Sequence, residues 1–399
     1  MDGSPHSRET VSSLARRLSA SCALNADYFA PNGDPIGLFI LKGEILSEPF
    51  PQRAVVAWGK SPLLFDEPEW DARIVLPDSS TIKIDGINRV AKPHEIIVAT
   101  PTGGLATAQV PSYHFVLRSE QPLKASGETP AEFRYIVSEA KTVRVEEQHL
   151  ILVAGPEKYK ALIPYARERS QWKISISIKG ALNYAAIEYA VGGGPRLLKE
   201  GKIVQDYAKE RFAPSLYAQR HPRTAVGVTP NSDVIWVVVE GRWSRSQGVT
   251  LPELAEIMKR LGCVDAINLD GGGSSVLFAG DLLLNRPSEG TERPVANALL
   301  LYAPPWPPPE KTYLIVPKND LIQSGEVVLL TVQDEQGNKL DNSSVIWSCV
   351  GNSAWIDQGG RLHALSEGTV LVRAAIQGTV VTTELQILPR KSFSQSLNH

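Results

Sequence analysis

Two short segments hold the residue types that could do chemistry. Asp270-Gly271-Gly272-Gly273-Ser274-Ser275 follows the apolar run VDAINL (264–269), and Glu240-Gly241-Arg242 follows VIWVVV (234–239). Three successive glycines can adopt positive φ and leave backbone amides bare, which makes an anion-binding concavity. Ser274 and Ser275 add hydroxyl donors, and Arg242 can clamp a phosphate through paired N–H groups. Asp270 and Glu240 can act as acid, base, nucleophile or stabiliser of a developing cation. Taken singly, a GGG bend is a tight turn and a strand-end carboxylate or arginine is a solvated charge. Their co-location points to a site.

The elements between these segments must bring them together. VIWVVV reads as a fully apolar strand and VDAINL as the next one. Between them, Thr250 and Glu253 form a capping box with Pro252 in the first turn. Leu251, Leu254, Ala255, Met258 and Leu261 mark the buried face of a helix, and Gly262 stops it. Strand, helix, strand is a crossover unit, so the two strands should run parallel with a right-handed connection. In a shared sheet their carboxyl ends then open on one edge, where α/β proteins place ligands. VLFAGDLLL (276–284) reads as a hairpin around Gly280-Asp281.

Upstream, Val11, Leu14, Ala15 and Leu18 have helical spacing, with Thr10 as cap, and CAL (22–24) reads as a short buried strand. LARRLSASCALNAD (14–27) thus repeats the helix, strand, Asn-x-Asp order of LAEIMKRLGCVDAINLD (254–270). A match this short is what chance would give. Residues 50–190 alternate β-type runs with Gly and Pro breaks, and no chemistry is assigned there.

The whole chain sets the bounds. At 399 residues it should hold two or three domains. Lys+Arg 41 against Asp+Glu 43 leaves a net charge of -2, which argues against a chain-wide grip on nucleic acid or an anionic membrane. No run approaches the roughly 20 apolar residues of a membrane span, and the amino terminus has no apolar stretch of signal-peptide length. Cys22, Cys263 and Cys349 allow at most one disulfide and no cysteine-based zinc site. GGGSS lacks the P-loop lysine, GGGP (192–195) cannot open a dinucleotide helix, GxSxG is missing, and the histidines show no HExxH spacing.

APPWPPPE (303–310) reads as a semi-rigid spacer. After it, TYLIVP, EVVLLTV, SVIWSCV, TVLVRAA and TELQIL are strand-length runs separated by turn formers, as in a β-sandwich. This part resembles a bacterial immunoglobulin-like domain, with Trp347 mid-strand and GRLHALSEGTVLVRA near its end. The tail KSFSQSLNH is expected to fray.

One ordered string of motifs carries a wider resemblance: NADYF with IGL (36–38), IDGINR (84–89), VGGGPRLL (191–198), RTAVGVT (223–229), EGR, GVTLPELA (248–255), NLDGGGSS and NRPSEGTERPVANALL (285–300). The chain over roughly residues 10–303 resembles the phosphodiester glycosidase family. The resemblance implies α-glycosidic cleavage of a sugar–phosphate diester, releasing free sugar and a phosphomonoester. Matching positions are Asn25, Gly193, Arg223, Glu240, Arg242, Asn268, Asp270, Gly271, Gly272, Ser274 and Arg293. An anionic diester beside the anomeric carbon needs a cation and amide clamp plus a carboxylate. On this expectation Asp270 is nucleophile or base, with Glu240 as its partner. Arg223 and Arg293, with the 271–273 amides and Ser274, hold the phosphate. Asn25 and Asn268 orient sugar hydroxyls or carboxylates.

Three departures from the family pattern stand out. Relatives usually carry a signal and an extra strand upstream of the first helix. Glu240 stands where aspartate is commoner, and Val276 where threonine is.

The expected architecture is an α+β or mixed α/β catalytic domain with a mixed β-sheet (1–303), a Pro-rich linker (304–310), an all-β immunoglobulin-like sandwich (311–390) and a tail (391–399). The expected substrate is a glycosyl phosphodiester of an envelope or exopolysaccharide-type glycan, met outside a bacterial cytoplasm. No cofactor is implied, while a divalent cation stays open. Two other readings stand beside this one: a non-catalytic binder of phosphosugar polymers, and a metal-dependent phosphodiesterase cutting P–O.

Overall fold

A computed structural model describes residues 8–60, 62–304, 311–317 and 321–390. The chain divides into two compact units. All but the first residue of the Pro-rich linker 304–310, and the tail 391–399, lie outside the described residues.

The first unit, whose main body is residues 25–275 with 291–298 added, is rich in strands and contains three sheets. An eight-stranded sheet runs in the order 81–83, 69–75, 171–179, 127–144, 105–118, 149–154, 96–99, 86–87. It is antiparallel apart from its last pair, 86–87 with 96–99, which makes it mixed. A five-stranded sheet orders 44–47, 39–41, 187–192, 55–59, 64–66. Alternate residues of both sheets enter one core, where Phe115, Phe133 and Trp172 pack with Ile40, Val55 and Leu117. Residues 50–190, read only as alternating strands and breaks, build most of this scaffold.

The third sheet positions the site. Its order is 202–203, 196–199, 265–268, 223–228, 234–239. Strands 234–239 and 265–268 do run the same way, as a crossover requires, but they are not neighbours. Strand Arg223–Val228 lies between them, antiparallel to both. Arg223 is opposite Val239, and Ala225 is opposite Asn268. The amino end of this inserted strand therefore opens on the edge where the other two strands finish. VIWVVV is the edge strand, which explains why it is half-buried and why Val234 is 43% exposed.

The helix Leu251–Arg260 starts as expected. Thr250 accepts from the Glu253 amide while Glu253 reaches back to the Thr250 amide. Leu251, Leu254, Ala255 and Met258 pack on Leu197, Leu198, Ala225 and Ala266 of the sheet. Leu261, expected on the buried face, lies past the last turn and is 49% exposed. Gly262 follows with φ 87°, a left-handed helix stop.

The second unit contains residues 11–24, 276–290 and 299–390 among those described. Helix Val11–Arg17 buries Val11, Leu14 and Ala15, whereas Leu18, expected on the same face, is 40% exposed. Strand Cys22–Asn25 pairs antiparallel with Leu277–Ala279, which turns through Gly280 and Asp281 into Leu282–Leu283. Both turn residues have positive φ, 57° and 66°, the geometry of a tight hairpin turn. Beyond residue 311 this unit is all-β, with short sheets around Trp347, Val332, Leu362, Val370, Val372 and Ile387. The run EVVLLTV, expected as one strand, is split. Val327–Leu329 and Thr331–Asp334 join different sheets, and fully buried Leu330 marks the switch.

Candidate active site

The repeated Asn-x-Asp is structural rather than accidental. Residues 25–27 run beside 268–270 in the first unit. Ala26 O accepts from the Asp270 amide at 2.8 Å, and Asn25 Nδ2 donates to Asp270 O at 2.6 Å. The two asparagines lock different partners. Asn25 Oδ1 accepts from Thr224 Oγ1 at 2.8 Å, and that hydroxyl lies 3.1 Å from Ser275 Oγ. Asn268 Nδ2 lies 2.7 Å from Tyr28 Oη and donates to Gly194 O at 3.0 Å. All of these side chains apart from Tyr28 are buried. Each strand tip is thereby held by side-chain bonds whose loss would leave a buried group unpaired.

This arrangement puts two carboxyls in one electrostatic environment. Asp270 is pushed up to about 6, chiefly by burial, against the pull of the Ser274 hydroxyl, the Arg293 guanidinium and the Gly271 amide. Asp27 is fully buried and pushed up to about 7, again mainly by burial. Amides of Gly37 and Tyr28, at 2.8 and 2.7 Å, and the charge of Arg53 oppose that rise, while Asp270 adds to it. The Asp27 carboxyl sits between two glycines. A Cβ on Gly37 would lie 2.8 Å from Asp27 Oδ2, and one on Gly192 would lie 2.6 Å from it. Only bare backbone fits there.

The GGG bend is more tightly engaged than a bare-amide cradle. Gly271 begins a short 3-10 turn over Gly272–Ser274. The Gly272 amide donates to Pro222 O at 2.9 Å, and the Ser274 amide to Gly271 O at 3.2 Å. The Gly271 amide favours the Asp270 carboxylate. The anion site read from three consecutive glycines is therefore largely used up by the turn itself. Gly273 and Ser274 are buried, and Gly271 and Gly272 are half-buried. Gly272 has φ 63°, and a Cβ there would lie 3.1 Å from an Arg242 terminal nitrogen. Arg242 therefore reaches the bend, as the sequence implied.

Gly193 packs against the same strand tip, where a Cβ would meet Asn268 O and Leu269 Cδ2 at 2.9 Å. Its neighbour Gly194 donates to Asn268 O at 2.8 Å, and Gly194-Pro195 is a cis peptide. Arg293 acts electrostatically on Asp270. Glu240 is ion-paired to Arg245 at 2.9 Å, and the Asp270 charge adds to the rise of Asp27. Arg223 is buried and donates to three backbone carbonyls: Val249 O at 2.9 Å, Leu216 O at 2.6 Å and Gln219 O at 2.9 Å. Burial lowers its pKa to about 10. His221, two residues earlier, is kept toward neutrality by burial and by the charge of Arg223.

Four residues were not singled out from sequence: Asp27, Tyr28, Arg53 and Thr224. NADYF contains two of them, and the Asn-x-Asp echo was their signal. Arg53 comes from a loop between strands and has no local signature. Two other buried polar atoms of this region, Asn268 Oδ1 and Asn297 Nδ2, have no hydrogen-bond partner among the described residues. Buried polar groups are seldom left so. Among the described residues, no group of three or more His, Cys, Asp or Glu side chains is placed to hold a metal ion. Nor is any helix among them long and apolar enough to cross a membrane.

Residues 125–302 match the family model of the phosphodiester glycosidases. An uncharacterized prophage-derived protein of Bacillus subtilis is 35% identical over 85 residues, 21% of this chain and 13% of its own length. The N-acetylglucosamine-1-phosphodiester alpha-N-acetylglucosaminidase of Bos taurus is 32% identical over 95 residues, 22% of this chain and 18% of that protein. These matches span less than a fifth of either relative. A solved structure from Burkholderia pseudomallei, of a candidate exported protein, shares the fold with a TM-score of 0.64 at 20% identity. It covers 75% of this chain and 69% of that one. The match over residues 125–302 makes that part of the chain, with the ordered motifs around it, similar to the phosphodiester glycosidases.

Proposed function

We propose that the protein hydrolyses the glycosidic C–O bond of a sugar-1-phosphodiester. The observation that carries this reading is the pairing of Asn25-Ala26-Asp27 with Asn268-Leu269-Asp270 in a domain that matches the family model. Asp270 is the reacting carboxylate. With a pKa of about 6 it is mostly ionised at neutral pH yet basic enough to take a proton. It attacks the anomeric carbon or deprotonates the water that does so. The C–O bond breaks with its electron pair passing to the phosphate oxygen. Water oxygen ends on the sugar and a phosphomonoester leaves. A phosphate is a better leaving group than an alcohol, so little general-acid help is needed. Asp27 is a positioning residue. It ties the amides of Tyr28 and Gly37 in place, and Tyr28 carries that order to Asn268.

The substrate class is a glycan carrying sugar-1-phosphodiesters, of envelope or exopolysaccharide type, met outside the cytoplasm. The immunoglobulin-like reading of 311–390 fits a spacer beside such a polymer. Glu240 enters the reaction only if substrate draws it from Arg245, and Arg242 and Arg293 supply positive charge at the bend. Synthetic sugar-1-phosphodiesters incubated in ¹⁸O-labelled water test the reading. Label in the sugar is expected. Label in the phosphate would identify a P–O-cutting phosphodiesterase, and binding without release a non-catalytic binder. Asp270→Asn should abolish turnover while leaving the fold, because Asn25 holds the backbone oxygen of residue 270 and not its carboxyl.

A further inference from the structure

We infer that Arg53, and not Arg223, is the principal cation for the phosphate group of the substrate. The inference rests on the hydrolase reading above for its choice of ligand. Arg223 has already committed its Nε and one terminal nitrogen to three carbonyls that anchor segment 216–219 and Val249. Arg53 makes no hydrogen bond or ion pair with its side chain among the described residues, and its Nε is buried without a partner. It is instead oriented by rings. Its guanidinium carbon lies 4.0 Å from the Phe50 ring centroid and 4.1 Å from that of Phe212. The Tyr28 ring is a third neighbour at 5.8 Å. Ring faces hold a guanidinium by cation–π attraction and leave its edge donors available. An arginine held this way is preorganised for a planar, bidentate grip on an anion.

Its location is the second half of the argument. Tyr28 lies between the two halves of the site. Its hydroxyl donates to Gly194 O at 3.0 Å and lies 2.7 Å from Asn268 Nδ2, and the ring responds to the charges of Asp270, Arg223 and Arg53. Asp27 likewise senses both Arg53 and Asp270. Arg53 thus borders the Tyr28 ring, whose hydroxyl meets Asn268 two residues before the reacting carboxylate. Two carboxyls act on Arg53, but Asp27 accepts from the amides of Tyr28 and Gly37, and Glu210 from those of Ala54 and Arg196. Desolvation disfavours the charge on Arg53 in the protein alone. A bound phosphate would satisfy it and reward binding of the anionic substrate over a neutral glycoside.

The test compares wild type with Arg53→Gln and Arg53→Lys, checking the fold of each by circular dichroism and melting. Binding of inorganic phosphate is measured by calorimetry, and KM and kcat are measured on a sugar-1-phosphodiester. Loss of the paired charge should weaken phosphate binding and raise KM about ten- to a hundredfold in Arg53→Gln. Arg53→Lys should recover part of the phosphate affinity. Phosphate binding that depends on Arg53 in a protein without turnover would uphold the anion site and sink the hydrolase reading. Unchanged phosphate affinity and KM in a folded Arg53→Gln, or no phosphate binding by wild type, would overturn the anion site whatever the activity.

Discussion

Replacing Asp27 by Asn should flatten the dependence of stability on pH. The carboxyl rises from 3.8 to about 7 on folding, because burial outweighs the Gly37 and Tyr28 amides and the charge of Arg53. A carboxyl whose folded pKa lies above its unfolded one binds a proton on folding. Its contribution to stability is full below the unfolded pKa and is lost as pH rises through the folded value. The window therefore runs from about pH 4 to about pH 7. At about 1.4 kcal/mol per unit the loss has an upper bound of about 4 kcal/mol. Asp27→Asn cannot ionise, so this loss disappears. The variant has its own fixed cost, because one amide nitrogen must face a backbone N–H, at about 1–3 kcal/mol. That cost is independent of pH, so the two contributions separate. Urea unfolding between about pH 4.5 and about pH 8 is the assay. The difference between wild type and variant should shrink or reverse as pH rises. Parallel profiles would refute the claim that Asp27 is held protonated by its surroundings. Asp270→Asn provides the cross-check. It removes the repulsion that helps raise Asp27, so the fall in stability attributable to Asp27 should move to lower pH.

Two further substitutions test the framework of the site. Gly193→Ala places a Cβ 2.9 Å from Asn268 O, a backbone atom that cannot turn away. It should cost about 1–3 kcal/mol in denaturant unfolding and displace the Asn268 tip, and unchanged stability would show that the tip yields without cost. Thr224→Val keeps the shape but strips the hydroxyl from Asn25 Oδ1 and Ser275 Oγ. A loss of about 1–3 kcal/mol is expected, with turnover falling further than the unfolded fraction explains. A variant as stable and active as wild type would remove the Thr224 bridge from the site.

Local pattern sufficed wherever one segment carries its own instructions. The capping box at Thr250 and the Gly280-Asp281 hairpin form because their hydrogen bonds and backbone angles are settled within a few residues. The motif string and the cluster at 268–275 were legible for the same reason. The sequence also contained both Asn-x-Asp copies, but nothing local says that residues 243 positions apart share a hydrogen-bond ladder. Tertiary structure alone decided that pairing, by closing the backbone bond from Asp270 to Ala26. It also inserted strand Arg223–Val228 between two strands expected to be neighbours, since strand order depends on which long-range edges find partners. The Gly272 amide and Arg223 lost their assumed freedom because backbone groups elsewhere claimed them. Arg53 emerged only when Phe50, three residues away, and Phe212, far along the chain, were both placed against its guanidinium. Residue type thus sets what chemistry is available, while long-range packing decides which charges remain available to a ligand.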